Sequence, residues 1–260
     1  MALIIGGHPR SGTTILQEVC DRHPNISITN EFGNFAYLGQ SYLEYSYRMM
    51  RRWCRVGNKW AFDLSYSSQK PLGLYNFLFT TRYLLRMGQP PWRPIDVQTI
   101  ETTLKQTFPE ATIVGDKWPD HMFLMDNFVK RDDLYCLVIY RDCRDVTSSF
   151  LKQTRTTWRK QAWVNSLNTA EKVARRWVEV MHLTERHADQ LHIIRYEDLI
   201  KNPKAVFASI GAWLGVDPAG FPVNAIKETS IGKYKKGLTN EELTTVMNIA
   251  GPTMAQLGYD

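Results

Sequence analysis

The sequence predicts a single α/β domain: a central parallel sheet flanked by helices, with a helical insert rich in aromatic residues. Three observations predict it. Four short apolar runs are each followed by polar or glycine residues and then a helical pattern, the rhythm of β-α-β units covered on both faces. A glycine-bounded loop follows the first run directly. No repeat, low-complexity tract or Ser/Gly linker divides the 260 residues, so the domain is expected to span 1–260.

The elements follow in order. Residues 2–6 read as the first buried strand, and 13–22 as the helix after the loop. A long insert, 32–110, is crowded with aromatics, among them Phe35, Tyr37, Tyr45, Trp60, Tyr66 and Trp92. Aromatics at helical spacing chiefly build core, and a segment of this length above a sheet edge also suits an acceptor wall and lid. Strands are expected at 111–115, 134–140 and 191–195, and helices at 120–131, 143–152, 169–188, 203–214 and 240–250. Asn202-Pro203 is a cap-and-proline start for one of them. A second insert, 153–168, carries Trp158 and Trp163. Ligands of an open parallel sheet bind beyond the carboxyl ends of its strands, which directs attention to 7–14, 116–119, 141–149 and 196–198.

The residues there suit anions. In Gly7-His8-Pro9-Arg10-Ser11-Gly12-Thr13-Thr14, a strand, a tight loop and a helix start turn successive N–H groups toward one point. The glycine spacing is that of a phosphate loop, yet Thr13 stands where a nucleotide triphosphatase has lysine, and the cation is Arg10 inside the loop. After the third strand, Arg141 can present its fork to a phosphate, and Ser149, eight residues on, lies two helical turns into the next helix. Lys117 sits in Asp116-Lys117-Trp118-Pro119, placed to meet developing negative charge. Tyr196-Glu197-Asp198 follows the fourth strand, and Ser230 to Gly237 forms a basic, glycine-bounded loop containing Lys235.

Composition narrows the classes. Net charge is +6, which fits a polyanionic ligand but is too modest and dispersed for nucleic acid. The one dense basic cluster, Arg48, Arg51, Arg52 and Arg55 around Trp53, reads as a solvated helix face. The four cysteines show no C-x-x-C spacing, so buried thiols in a reducing compartment are expected and no metal site. No signal-like segment or membrane-length apolar run is visible, and a cytoplasmic protein is expected.

Together and in this order, these residues resemble the sulfotransferases that use 3′-phosphoadenosine-5′-phosphosulfate (PAPS). Pro9-Arg10-Ser11-Gly12-Thr13-Thr14 is similar to the family's 5′-phosphosulfate loop, Arg141 and Ser149 to its 3′-phosphate motif, and Tyr196-Glu197-Asp198 to the turn near adenine. The 230–237 segment resembles the loop that closes over the cofactor. The Arg-Ser-Gly-Thr-Thr version, His23-Pro24, Glu31 twenty-one residues past Arg10, and the ending at 254–260 resemble the tyrosylprotein branch and its bacterial relatives. The pattern departs from the cytosolic hormone and phenol enzymes: Lys117 is followed by Trp118-Pro119 and no histidine base, and Ile15 replaces their tryptophan.

The resemblance implies in-line sulfuryl transfer from PAPS to a hydroxyl, or an amine, of a small-molecule acceptor such as a secondary metabolite. It implies Glu31 as general base, Arg10 and Lys117 at the leaving group, Ser230 near the bridging oxygen, and no metal. A helix-capping glutamate after Asn30 is the other reading of Glu31, and His121 is the second candidate base. A sugar, lipid or protein-tyrosine acceptor stays open, as do a phosphate-loop kinase and a nucleotide-binding module without activity.

Overall fold

The computed structural model of the chain describes residues 1–55, 72–226 and 231–259. It begins with β1 (Ala2–Gly7), α1 (Thr13–Asp21) and β2 (Ile26–Asn30). A 3-10 turn (Asn34–Tyr37) leads into α2 (Tyr42–Arg55), α3 (Leu72–Met87) and α4 (Val97–Thr107). Next come β3 (Ile113–Lys117), a 3-10 turn (Pro119–Leu124), α5 (Met125–Phe128), β4 (Leu134–Tyr140) and α6 (Cys143–Arg155). The chain continues through α7 (Ala170–Arg186), β5 (His192–Arg195), α8 (Tyr196–Lys201), α9 (Pro203–Leu214), α10 (Tyr234–Gly237) and α11 (Asn240–Gln256).

The five strands form one parallel sheet in the order β2-β3-β1-β4-β5. Strand β1 is central and wholly buried, and its side chains alternate between two cores. Ala2 and Ile4 join Ile100 of α4, Val146 of α6, Trp177 of α7 and Val246 of α11 on one face. Leu3 and Ile5 join Leu16 of α1, Leu199 of α8 and Phe207 of α9 on the other. After β1 the chain turns outward to β2, whereas after β4 it turns the opposite way to β5. The connections therefore part between β1 and β4, and a crevice opens at their carboxyl ends.

This is the expected α/β domain, with differences at particular elements. Strand β2 was not expected: it is a short edge strand, Ile-Ser-Ile-Thr-Asn, paired only with β3, so its apolar signal is two isoleucines. The strand expected at 111–115 is shifted to Ile113–Lys117, which puts Asp116 and Lys117 inside the sheet. Both are buried, so their polarity concealed a strand end whose charges are paired internally. The helix expected at 120–131 is a 3-10 turn followed by one short helix, begun by Pro119. The last helix continues past 250 to Gln256 and carries Pro252 on its exposed side. In the long insert, α2 and α3 bury Tyr45 and Tyr83 with their hydroxyls 3.1 Å apart, so these aromatics are core. Trp60 and Tyr66 lie outside the described residues.

Candidate functional site

The loop after β1 is shaped by two glycines. At Gly7, φ is +146°, and a Cβ would collide with the carbonyl oxygen of Ile139 in β4. At Gly12, φ is +100°, and a Cβ would collide with the Tyr196 ring. Gly12 is also the N-cap of α1 and supplies no side chain, so the first amides of that helix have no side-chain cap. Ser11 is fully buried, its N–H donates to His8 O at 3.0 Å, and its hydroxyl has no partner among the described residues. Unsatisfied donors at a helix start, with a buried hydroxyl beside them, suit an oxyanion.

Two arginines meet at this loop. Arg10 Nε donates to Ser149 Oγ at 3.0 Å, joining the loop to α6 across 139 residues. Arg141, at the end of β4, donates from Nη1 to the Arg10 carbonyl at 3.3 Å. Its Nη2 lies 3.3 Å from Asp145 Oδ2, and its guanidinium stacks 4.5 Å over the Tyr196 ring. The Arg10 side chain reaches solvent, yet the surrounding protein and then Arg141 push its guanidinium below its ordinary value. Arg10, Arg141, Ser149 and Tyr196, all expected at the site from sequence, are brought together with Gly12. Thr13 is buried and Thr14 exposed on the first turn of α1, and Pro9 is half-buried before Arg10.

On the other side of the loop, Lys117 is 1% exposed, and its Nζ donates to Glu31 Oε1 at 2.9 Å. Glu31 lies just past β2, where its N–H donates to Lys117 O at 2.6 Å and its carbonyl accepts from Arg52 at 3.0 Å. It is not capping a helix. Among the described residues, the only non-glycine residues with positive φ are Arg10 (75°) and Glu31 (59°). A left-handed backbone costs such residues roughly 1–2 kcal/mol, and it persists where neighbouring contacts over-determine it. At Glu31 those contacts come from the buried Asp116, which accepts from Thr29 Oγ1 (2.7 Å), Phe32 N (3.0 Å) and Gly33 N (2.8 Å). Burial pushes the Asp116 carboxyl up, and these bonds oppose the rise.

His121 is enclosed by the rings of Phe35, Trp118 and Phe128 with no exposed surface, and burial lowers its pKa to about 3. It therefore cannot reach an acceptor in this arrangement. Ser230 lies outside the described residues. Lys235 is exposed on α10, and that segment is fastened to α6: Asp145 accepts from Gly232 N (2.8 Å) and Tyr234 N (2.9 Å).

Sequence reasoning missed three supports. Asp145 holds both Arg141 and the basic C-terminal segment, although its spacing from Arg141 reads as an ordinary surface pair. Arg52, read as part of a solvated face, turns inward to Glu31 O and lies 4.4 Å over the Trp118 ring. Glu197 accepts from Asp142 N (3.2 Å) and Tyr259 OH (2.7 Å), pinning the start of α6 to the C-terminal tail. Its place in the Tyr196-Glu197-Asp198 turn was the available signal. Among the described residues, no cluster of His, Cys, Asp and Glu could hold a metal, and no helix is long and apolar enough to cross a membrane.

The fold is shared with solved sulfotransferases. The sulfotransferase domain of the Synechococcus PCC 7002 olefin synthase aligns with 100% of this chain and 94% of its own, at 15% identity and TM-score 0.59. A Mycobacterium avium sulfotransferase aligns with 100% of this chain and 77% of its own, at 15% identity and TM-score 0.56. The sulfotransferase domain of the curacin biosynthetic pathway covers 100% and 98%, at 16% identity and TM-score 0.54. No curated protein matches the chain in sequence. The profile described as the sulfotransferase family matches residues 2–219, most of the chain, and the chain belongs to that family.

Proposed function

We propose that the chain transfers the sulfuryl group of PAPS to a hydroxyl, or an amine, of a small-molecule acceptor, a secondary metabolite being the class favoured. The observation that carries this reading is the junction of Arg10, Ser149 and Arg141, which joins the loop to the end of β4 and brings two arginines together there. A nucleotide with phosphates at both 5′ and 3′ positions matches that pair. The unpartnered Ser11 hydroxyl and the uncapped first turn of α1 fit the 5′ group. Arg141 and Ser149 fit the 3′ phosphate, with Tyr196 beside them and Lys235 and Ser230 on the closing segment.

When bound, PAPS supplies an activated sulfuryl group whose departure leaves charge on a phosphate oxygen. The chain's own residues position, neutralise and deprotonate. The loop from Pro9 to Thr14 orients the donor through its amides, and Arg10 and Lys117 neutralise the leaving oxygen. Glu31 takes the proton from the acceptor hydroxyl. Its partnership with Lys117 keeps the base and the leaving-group cation side by side, so proton removal and charge neutralisation occur at adjacent points. From its aromatic content, the 32–110 insert of the one domain 1–260 is assigned to acceptor binding and the lid.

The test is ligand-dependent melting without magnesium. The product nucleotide, 3′-phosphoadenosine-5′-phosphate (PAP), should stabilise the protein by about 2.7 kcal/mol at a hundred times its dissociation constant. ATP, lacking the 3′ phosphate, should stabilise it far less. Equal effects, or a strict need for magnesium, would favour a kinase.

A further inference from the structure

Trp158 and Trp163 stand beside the loop with no role yet given to them. They follow α6, with ring centroids 5.2 Å apart and planes inclined at 57°. Phe150 backs both, at 5.4 Å and 6.5 Å, and the same ring meets His8 edge-on at 6.2 Å. This chain of rings fixes the pair above the residues that leave β1. Trp163 is 47% exposed and Trp158 is half-buried.

Trp158, which also packs against the core, has Arg10 as a further neighbour. Its guanidinium carbon lies 5.8 Å over the Trp158 ring while Nε donates to Ser149 Oγ. Both contacts are weak beside the charge-assisted bonds that a phosphate or sulfate oxygen offers a guanidinium. Trp118, close to Glu31, is also covered by an arginine, but that residue, Arg52, is anchored to Glu31 O. Of these two indoles, Trp158 is the one covered by a cation that the donor's own charge would claim.

We infer that Trp158 and Trp163 form the acceptor platform, holding a ring-bearing alcohol by its flat face, and that Arg10 covers Trp158 until the donor nucleotide draws it away. The inference rests on the PAPS reading above. An indole face recognises another face, by stacking on an aryl ring or by C–H contact with a sugar ring, and an acyclic alcohol offers neither. Acceptor affinity therefore rises once nucleotide is bound, because the platform is then uncovered.

The experiment has three readouts on the same protein. Calorimetry with PAP establishes donor binding. Tryptophan emission on adding PAP should change in wild type and in a Trp213→Phe control, whose ring on α9 stacks on His192 of the edge strand β5, and the change should be lost in Trp158→Phe. Turnover with PAPS is then compared for 2-naphthol, methyl β-glucoside and 1-hexanol, in wild type, Trp158→Ala and the more exposed Trp163→Ala. At least one ring alcohol should be the better acceptor, its KM rising tenfold or more in either alanine variant while PAP affinity stays within twofold. Which ring alcohol responds separates an aryl from a sugar acceptor. Absence of PAP binding overturns the PAPS reading and this inference together. PAP binding with unchanged emission, with hexanol as good an acceptor, with no turnover of either ring alcohol, or with PAP affinity falling as far as acceptor affinity, overturns this inference alone.

Discussion

The two flanks of the loop are built on opposite plans. On the β4 flank, Arg141 is held by Asp145, by the Arg10 carbonyl and by the Tyr196 ring, and its own carbonyl accepts from Trp177 Nε1 at 2.9 Å. Asp145 in turn holds the C-terminal segment. On the β3 flank, the buried Lys117 ammonium meets one carboxylate among the described residues, on a residue kept in a left-handed backbone. A group that only recognises can be fixed from several directions. A group that must exchange a proton or neutralise a departing charge needs a contact it can give up. On the proposed reading the first flank recognises the donor and the second carries the chemistry, a division that can be broken experimentally at either side.

The largest effect should come from the β3 flank. Lys117→Met keeps the buried stem but removes the charge, and kcat should fall roughly 10²–10³-fold, as when one preorganised transition-state donor is lost. PAPS affinity should change little, because in PAPS the leaving oxygen is still bonded to sulfur and has not gained its charge; a loss of PAPS affinity equal to the loss in kcat would make Lys117 a recognition residue. On the β4 flank, Arg141→Ala should weaken PAP binding by roughly 1.5–3 kcal/mol for each charge-assisted bond lost, seen mainly as a higher KM for PAPS. Wild-type affinity in that variant would remove the 3′-phosphate assignment.

The last effect falls on stability and leaves turnover aside. His121 is held neutral, with a pKa of about 3 against 6.5 for the free side chain, so the unfolded chain takes up the extra proton. Its stabilising contribution is complete above pH 6.5 and is lost as pH falls toward 3, by about 1.4 kcal/mol per pH unit. His8 behaves alike, while Asp21, raised to about 7 by burial, acts in the opposite sense between about 4 and 7. A His121→Phe variant removes the His121 proton together with the 3.6 Å approach of His121 Nε2 to the buried Asp116 carboxylate. Measured against wild type, its stability deficit should shrink as pH is lowered from 6 to 4, by roughly 2–4 °C in melting temperature per kcal/mol. Parallel curves would mean that His121 is protonated in the folded state.

Much of this site could be read from the chain because its signals are local. The glycines, Arg10 and the uncapped helix start fall within eight residues, and Arg141 and Ser149 share one helix turn pattern. The partners of those residues were not legible. Nothing in the sequence near Glu31 points to Lys117, eighty-six residues away, because the pairing follows from β2 lying beside β3. That edge strand was itself invisible, having two apolar residues and no covering periodicity. Arg52 shows the same limit: its neighbours are charged, so the pattern describes a solvated face, and only the packing of α2 turns it toward Glu31. Backbone strain at Arg10 and Glu31 likewise depends on tertiary contacts and leaves no mark in composition.

The most direct measurement is single-turnover transfer of radiolabelled sulfuryl from PAPS to a weakly acidic alcohol by Glu31→Gln, with PAP affinity measured on the same preparation. Glutamine keeps an acceptor for Lys117 but cannot take a proton. The transfer rate should fall roughly 10²–10⁴-fold, with PAP bound within about twofold of wild type. Transfer at the wild-type rate, or a loss explained entirely by weaker PAP binding, would contradict Glu31 as the base.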